Sequence, residues 1–121
     1  MKRILLCLMV ALFATGCLFA KNNDEKMNVM SYNIRYDNSG DKDNQWKFRR
    51  DFAADLVKFY EADVFGAQEV LNNQLNDLLN RLPEYAYVGV GREDGKTKGE
   101  YAPIFYRKDR FSVEKSGNFW L

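Results

Sequence analysis

Two side chains with oxygen chemistry stand at the ends of apolar runs. Asn33 closes the strand-like part of "MNVMSYNIRY", and Glu69 comes at the end of "ADVFGAQEV". Strand interiors disfavour Asn, so Asn33 is either a turn signal or a placed functional group. A carboxylate on an open rim is a hard oxygen donor suited to Mg²⁺, which binds through one or two carboxylates together with waters and substrate phosphate. An amide beside it can donate to a phosphate oxygen and accept from a second group at once, which no charged side chain can do. Capping and turn formation are the ordinary uses of the same residues. The pair becomes a site only if the two strands are neighbours, because α/β folds gather ligand-binding groups at the carboxyl ends of adjacent strands. Arg35 and Asp37 enter the loop after Asn33 and could meet a substrate there, although loop-entry charges are usually solvated. Gln68 is expected to point away from Glu69, since side chains alternate along a strand.

The elements that must carry these residues follow from periodicity. Residues 28–34 alternate, with Met30, Tyr32 and Ile34 on one side and Val29, Ser31 and Asn33 on the other, as a strand requires. After the polar loop "DNSGDKDN", Asn44 is placed to cap a helix whose apolar positions are Ala53, Leu56, Val57 and Tyr60, with Trp46 entering the core from its first turn. "ADVFGAQEV" is a short apolar run with helices on both sides, which reads as a buried central strand. Asn72 or Asn73 then caps a second helix with Leu75, Leu78, Leu79 and Leu82 on one face, and Pro83 stops it. "YAYVGVG" is a strand and "REDGKTKGE" a loop, which with Arg92, Lys96 and Lys98 is either a phosphate-contacting basic segment or simply a soluble turn. "YAPIFYR" and "FSVEKSGNFWL" read as two further strands. The order β-α-β-α followed by strands predicts an α/β fold.

Composition narrows the function classes. A formal net charge of +1 gives neither the basic field of a dedicated nucleic-acid binder nor an acidic tail. There is no His in the chain, which excludes His-dependent triads, His metal sites and His acid–base pairs within it. The chain opens with a basic start, an apolar run over residues 4–13 and small residues, the pattern of a secretory leader over residues 1–20. Two exits from it compete. Cleavage after Ala20 would release a soluble protein, whereas "ATGC" offers Cys17 as a lipoprotein acceptor. Residues 21–26 read as a solvated linker and residues 27–121 as one small domain. Both cysteines, Cys7 and Cys17, lie in the leader, so the body has no disulfide and depends on core packing. The expected location is outside the cytoplasm, in the periplasm or cell envelope, with a membrane contact only through a lipid at Cys17.

"MNVMSYNIRY", "WKFRR", "ADVFGAQEV" and "GEYAPIFYRKDRF" together resemble the amino-terminal half of the endonuclease/exonuclease/phosphatase superfamily, over residues 27–121. The resemblance implies a partial four-layered α/β sandwich of mixed β-sheets flanked by helices, truncated at its carboxyl end. It implies hydrolysis of a phosphodiester or phosphomonoester with Mg²⁺ or Mn²⁺, on a nucleic acid, a phospholipid head group, or a sugar or inositol phosphate, by a monomer when complete. Glu69 then matches the metal-ligating carboxylate, and Asn33 matches the amide that orients phosphate and catalytic groups and shares the metal site. Arg35 would touch substrate. Glu100, seven residues before Arg107 as in the pancreatic-type deoxyribonucleases, is similar to the carboxylate that steadies a catalytic His there. The family's later Asp-x-Asn and Asp-His motifs have no counterpart, so the chain alone is expected to be inactive. The competing reading is a remnant or binding module that keeps the fold without the chemistry.

Overall fold

A computed structural model describes residues 26–119 of the chain. The leader, both of its exits and most of the linker lie outside the described residues, and among those described no helix is long and apolar enough to cross a membrane.

The alternating run after Met27 forms strand β1, Val29–Asn33. A 3₁₀ turn over Ser39–Asn44 leads into helix α1, Trp46–Phe59, and the chain returns as β2, Val64–Gln68. Helix α2, Asn72–Arg81, is followed by β3, Tyr85–Val88, and β4, Ile104–Arg107. The four strands make one mixed sheet in the order β1-β2-β4-β3. β1 and β2 are parallel, as a helical crossover permits, and β4 runs antiparallel to both β2 and β3. The register pairs Asn33 with Gln68, so the two strands whose ends carry the candidate site are immediate neighbours.

Burial is one-sided. Phe65, Ala67, Tyr85 and Phe105 face Trp46, Ala53, Ala54 and Val57 of α1 and Leu75, Leu78 and Leu82 at α2, and all of these are buried. Phe65 and Phe105 are register partners whose rings stack at 4.5 Å, and Tyr85 meets Phe65 edge-on at 5.5 Å. On the other side Val29, Ser31, Asn33 and Ile104 are exposed. At the amino ends of β1 and β2 the buried Asp63 ties the sheet together. It accepts the Asn28 N–H at 2.8 Å and pairs with Arg110.

Four local expectations differ from the structure. Asn44 does not cap α1; the helix begins after Gln45 with no side-chain cap, because Asn44 closes the 3₁₀ turn, where Asn38 accepts from Gly40 at 2.9 Å. Neither Asn72 nor Asn73 caps α2. The cap position is Leu71, whose N–H is taken by the side chain of Gln74 one turn on, at 3.0 Å. Tyr60 lies beyond the last turn of α1 and is exposed, since the backbone swings away at Glu61, where φ is 48°. Residues 111–119 form no strand, because β4 already has β2 on one edge and β3 on the other.

Candidate metal and phosphate site

Asn33 and Glu69 come together at the carboxyl ends of β1 and β2, with Asn33 Nδ2 donating to Glu69 Oε1 at 2.9 Å. Strict alternation would not produce this contact. Asn33 and Gln68 share a face as register partners, so an extended Glu69 would turn to the opposite face. Instead Glu69 adopts a left-handed backbone, φ 59°, an uncommon state for a residue with a Cβ. That turn brings its carboxylate back to the Asn33 side. It also corrects the expectation for Gln68: Gln68 and Glu69 line one cleft, while the Gln68 amide does stay within the sheet layer, donating to the Gly66 carbonyl at 3.1 Å.

The kink at Glu69 is held from both sides. Before it, the Ile34 N–H donates to the Gln68 carbonyl at 3.2 Å, continuing the ladder from β1. After it, Val70 and Tyr101 form an antiparallel bridge, with the Tyr101 N–H donating to the Val70 carbonyl at 2.7 Å and Val70 returning the bond at 3.3 Å. The same bridge carries Glu100 to the site. Glu69, Glu100, Gln68, Arg92, Val90 and Tyr101 line a cleft of about 470 Å³.

The second Glu69 oxygen, Oε2, accepts the Tyr36 N–H at 3.2 Å. The Asn33 amide and, after it, the Tyr36 N–H hold the Glu69 carboxyl below the usual carboxylate range, with a smaller contribution from the charge on Arg35. Glu69 is therefore an anion at neutral pH. Each of its oxygens accepts one bond and retains further acceptor capacity, and the residue borders the cleft. Asn33 in turn accepts the Arg35 N–H on Oδ1 at 2.8 Å, closing a turn over its own loop. This donor set fits a hard divalent cation held by one carboxylate, waters and a substrate oxygen. Among the described residues no group of three or more His, Cys, Asp or Glu could enclose a metal by itself.

The structure places the remaining candidates less centrally. The Arg35 guanidinium forks onto Asp41, at 2.9 and 3.1 Å, and faces a separate shallow cleft with Asn44 and Arg49, so only its backbone belongs to the Asn33–Glu69 rim. Glu100 accepts from Arg92 at 3.2 Å inside the Glu69 cleft. Lys96 and Lys98 give their backbone N–H groups to Asp94, at 2.8 and 2.9 Å, and neither lines that cleft. Sequence reasoning missed the Tyr36 N–H and Gln74. Gln74 had a readable signal: a Gln at the third helical position is half of a capping box. A larger cleft, about 620 Å³, lies at the opposite end of the sheet around Asp63, but its one buried carboxylate is already committed to Asn28 and Arg110.

Comparison with known proteins places this geometry in context. No protein-family model matches the chain. The structure is similar to that of an endonuclease/exonuclease/phosphatase from Bacteroides vulgatus, with 54% identity and a TM-score of 0.73 over 74% of this chain and 34% of that one. It is also similar to a mannosyl-6-phosphatase from Bacteroides thetaiotaomicron, at 43% identity and a TM-score of 0.76, covering 78% of this chain and 36% of that one. Among curated proteins, the 3'-5'-exoribonuclease subunit Ccr4 of the CCR4-Not complex of Mycosarcoma maydis is 28% identical over 108 residues, 74% of this chain and 16% of its own length. The chain thus spans about a third of those solved structures and about a sixth of that curated relative.

Proposed function

Because the chain belongs to the endonuclease/exonuclease/phosphatase superfamily, we propose that the Asn33–Glu69 rim is the metal side of a divalent-cation-dependent phosphoesterase. The observation that carries this reading is the left-handed turn at Glu69, which places an ionised carboxylate against the Asn33 amide at the border of an open cleft. Glu69 would hold Mg²⁺ or Mn²⁺. Asn33 would keep the carboxylate anionic and aimed, and Glu100 would face the same cleft. When bound, such a cation supplies charge neutralisation on a phosphoryl oxygen under attack by water. The chain's own contribution is to hold the carboxylate: the Asn33 amide and the Tyr36 N–H donate to Glu69, and Arg92, paired with Glu100, lines the same cleft.

The substrate is a phosphate ester, a monoester or a diester. The 121-residue sequence carries no His and neither the Asp-x-Asn nor the Asp-His motif that the superfamily uses for water and proton handling. By itself it is therefore expected to turn nothing over. The whole gene product carrying this sequence should be assayed with Mg²⁺ against p-nitrophenyl phosphate and bis(p-nitrophenyl) phosphate, beside Glu69→Gln. Turnover that falls at least about a hundredfold in the variant supports the reading. Turnover indifferent to Glu69, or none from the whole product, leaves the remnant or binding module as the better description.

We also propose export. The support is the basic start, apolar run and small-residue exit of residues 1–20. Mass spectrometry of protein recovered from the cell envelope decides the exit: a lipidated Cys17 means a lipoprotein, a Lys21 start means a soluble product, and an intact Met1 overturns both.

A further inference from the structure

Gln74 stands in the first turn of α2 with none of its surface exposed, one of only two buried polar or charged residues among those described. Its side chain is fully used. Oε1 accepts the N–H groups of Leu71 at 3.0 Å and Asp37 at 3.1 Å, and Nε2 donates to the Arg35 carbonyl at 2.8 Å. A side-chain amide can accept on one atom while donating from the other, which an ionised carboxylate or an ammonium cannot. Two of the three bonds leave the helix and grip residues 35 and 37. Tyr36 lies between them, and its N–H is the donor to Glu69 Oε2.

The loop needs such a grip because no regular ladder holds it. Arg35 is left-handed, φ 59°, and beyond the Ile34 N–H bond to the Gln68 carbonyl the chain has left the sheet. From the other side Arg49 of α1 donates to the Ile34 carbonyl at 2.8 Å and more weakly to that of Arg35 at 3.3 Å. Among the described residues only Gln74 takes the Asp37 N–H. The neighbouring residues of the same turn serve the same region. Asn73 donates to Asp37 Oδ2 at 2.9 Å, and Asn72 accepts from the Tyr101 hydroxyl at 3.1 Å, next to Glu100.

We propose that Gln74 is a positioning residue: by clamping Arg35 and Asp37 it fixes the Tyr36 N–H and hence the pose of the Glu69 carboxylate. Its bearing on metal binding rests on the phosphoesterase reading above; its bearing on the pose of Glu69 does not. Groups that orient a ligating carboxylate from behind set metal affinity without touching the metal.

The test uses isotopically labelled protein and reads two quantities: the hydrogen-exchange rate of the Tyr36 amide together with the Asn33–Glu69 side-chain contact by NMR, and Mn²⁺ affinity by titration. The variants are Gln74→Leu and Gln74→Glu, with Leu78→Ala as a control that loosens the same helix from the core. Gln74→Leu should open the Tyr36 amide to exchange and weaken Mn²⁺ about 10–100-fold. Gln74→Glu, which keeps the acceptor bonds and remains usable if the Leu variant does not fold, should shift both in the same direction by less. Leu78→Ala should lower the melting temperature without moving either. If the Tyr36 amide keeps its wild-type exchange in both Gln74 variants, or if Leu78→Ala moves it equally, Gln74 does not position the site. If wild-type protein binds no Mn²⁺ while Tyr36 exchange still follows Gln74, the positioning role stands and the phosphoesterase reading fails.

Discussion

Replacing Asn33 by Ala should disarm Glu69 without unfolding the sheet. The substitution removes the Nδ2 donor at 2.9 Å from Glu69 Oε1 and the Oδ1 acceptor at 2.8 Å from the Arg35 N–H. The first bond is the largest cause of the depressed Glu69 carboxyl, and the second helps place the loop that offers the Tyr36 N–H, the next largest. Both influences weaken together, so the Glu69 carboxyl should climb back toward the ordinary glutamate value. The sign follows from the direction of the shift. A depressed carboxyl keeps its charge above its folded value and loses it as pH falls through that value, so the variant should lose cation binding at a higher pH than the wild type. At neutral pH Glu69 is ionised in both, and the expected loss of Mn²⁺ affinity, about 10–100-fold, comes from orientation rather than charge. Asn33 is exposed, so global stability should change by no more than about 1 kcal/mol. A carbon-detected NMR titration of the Glu69 carboxyl, run beside Mn²⁺ titrations at several pH values, reads both effects. An unchanged Glu69 titration in Asn33→Ala would refute the account of how this carboxylate is held.

Two predictions concern the scaffold. Trp46→Phe removes the indole N–H bond to Asp77 Oδ2 at 2.8 Å and leaves space between α1 and α2. It should cost about 2 kcal/mol in urea unfolding, about half from the bond and half from the smaller ring, with the Asn33–Glu69 contact intact. Asp63 lies below the usual aspartate range, chiefly through the Asn28 N–H and then through Arg110, against an opposing push from burial. Its folded-state value is the lower one, so its contribution is present above the unfolded value and lost as pH falls through the folded one. Asp63→Asn should accordingly be less stable at pH 7 and lose less on acidification to pH 3; unfolding curves with equal acid sensitivity in both proteins would contradict this.

The strands and helices near the site were legible because their signals are periodic and repeated. The alternation before Asn33 and the leucines of α2 each fix a face several times over, and the structure buries Leu75, Leu78 and Leu82 as that pattern requires. Adjacency of the two strand ends could be read as well, since one helical crossover between parallel strands favours neighbours. Single-residue events were not legible. Alternation predicts that Gln68 and Glu69 diverge, and one left-handed residue reverses that outcome with no glycine to announce it. The capping asparagines went wrong for a related reason: Asn72 and Asn73 have the right residue type, yet long-range partners at Tyr101 and Asp37 claim their side chains while Gln74 satisfies the cap from within the helix. The expected strand after Arg110 failed on topology. Its apolar residues suit a sheet, but β4 has no free edge to offer.

The central claim is that the rim of Asn33 and Glu69 holds a divalent cation. Line broadening by substoichiometric Mn²⁺ in the NMR spectrum of the protein, beside Glu69→Gln, tests it most directly. The account predicts saturable broadening centred on Asn33, Tyr36 and Glu69 that disappears in the variant. Broadening centred on Asp63 or on the Asp94 loop, or broadening at the rim that survives Glu69→Gln, would contradict it.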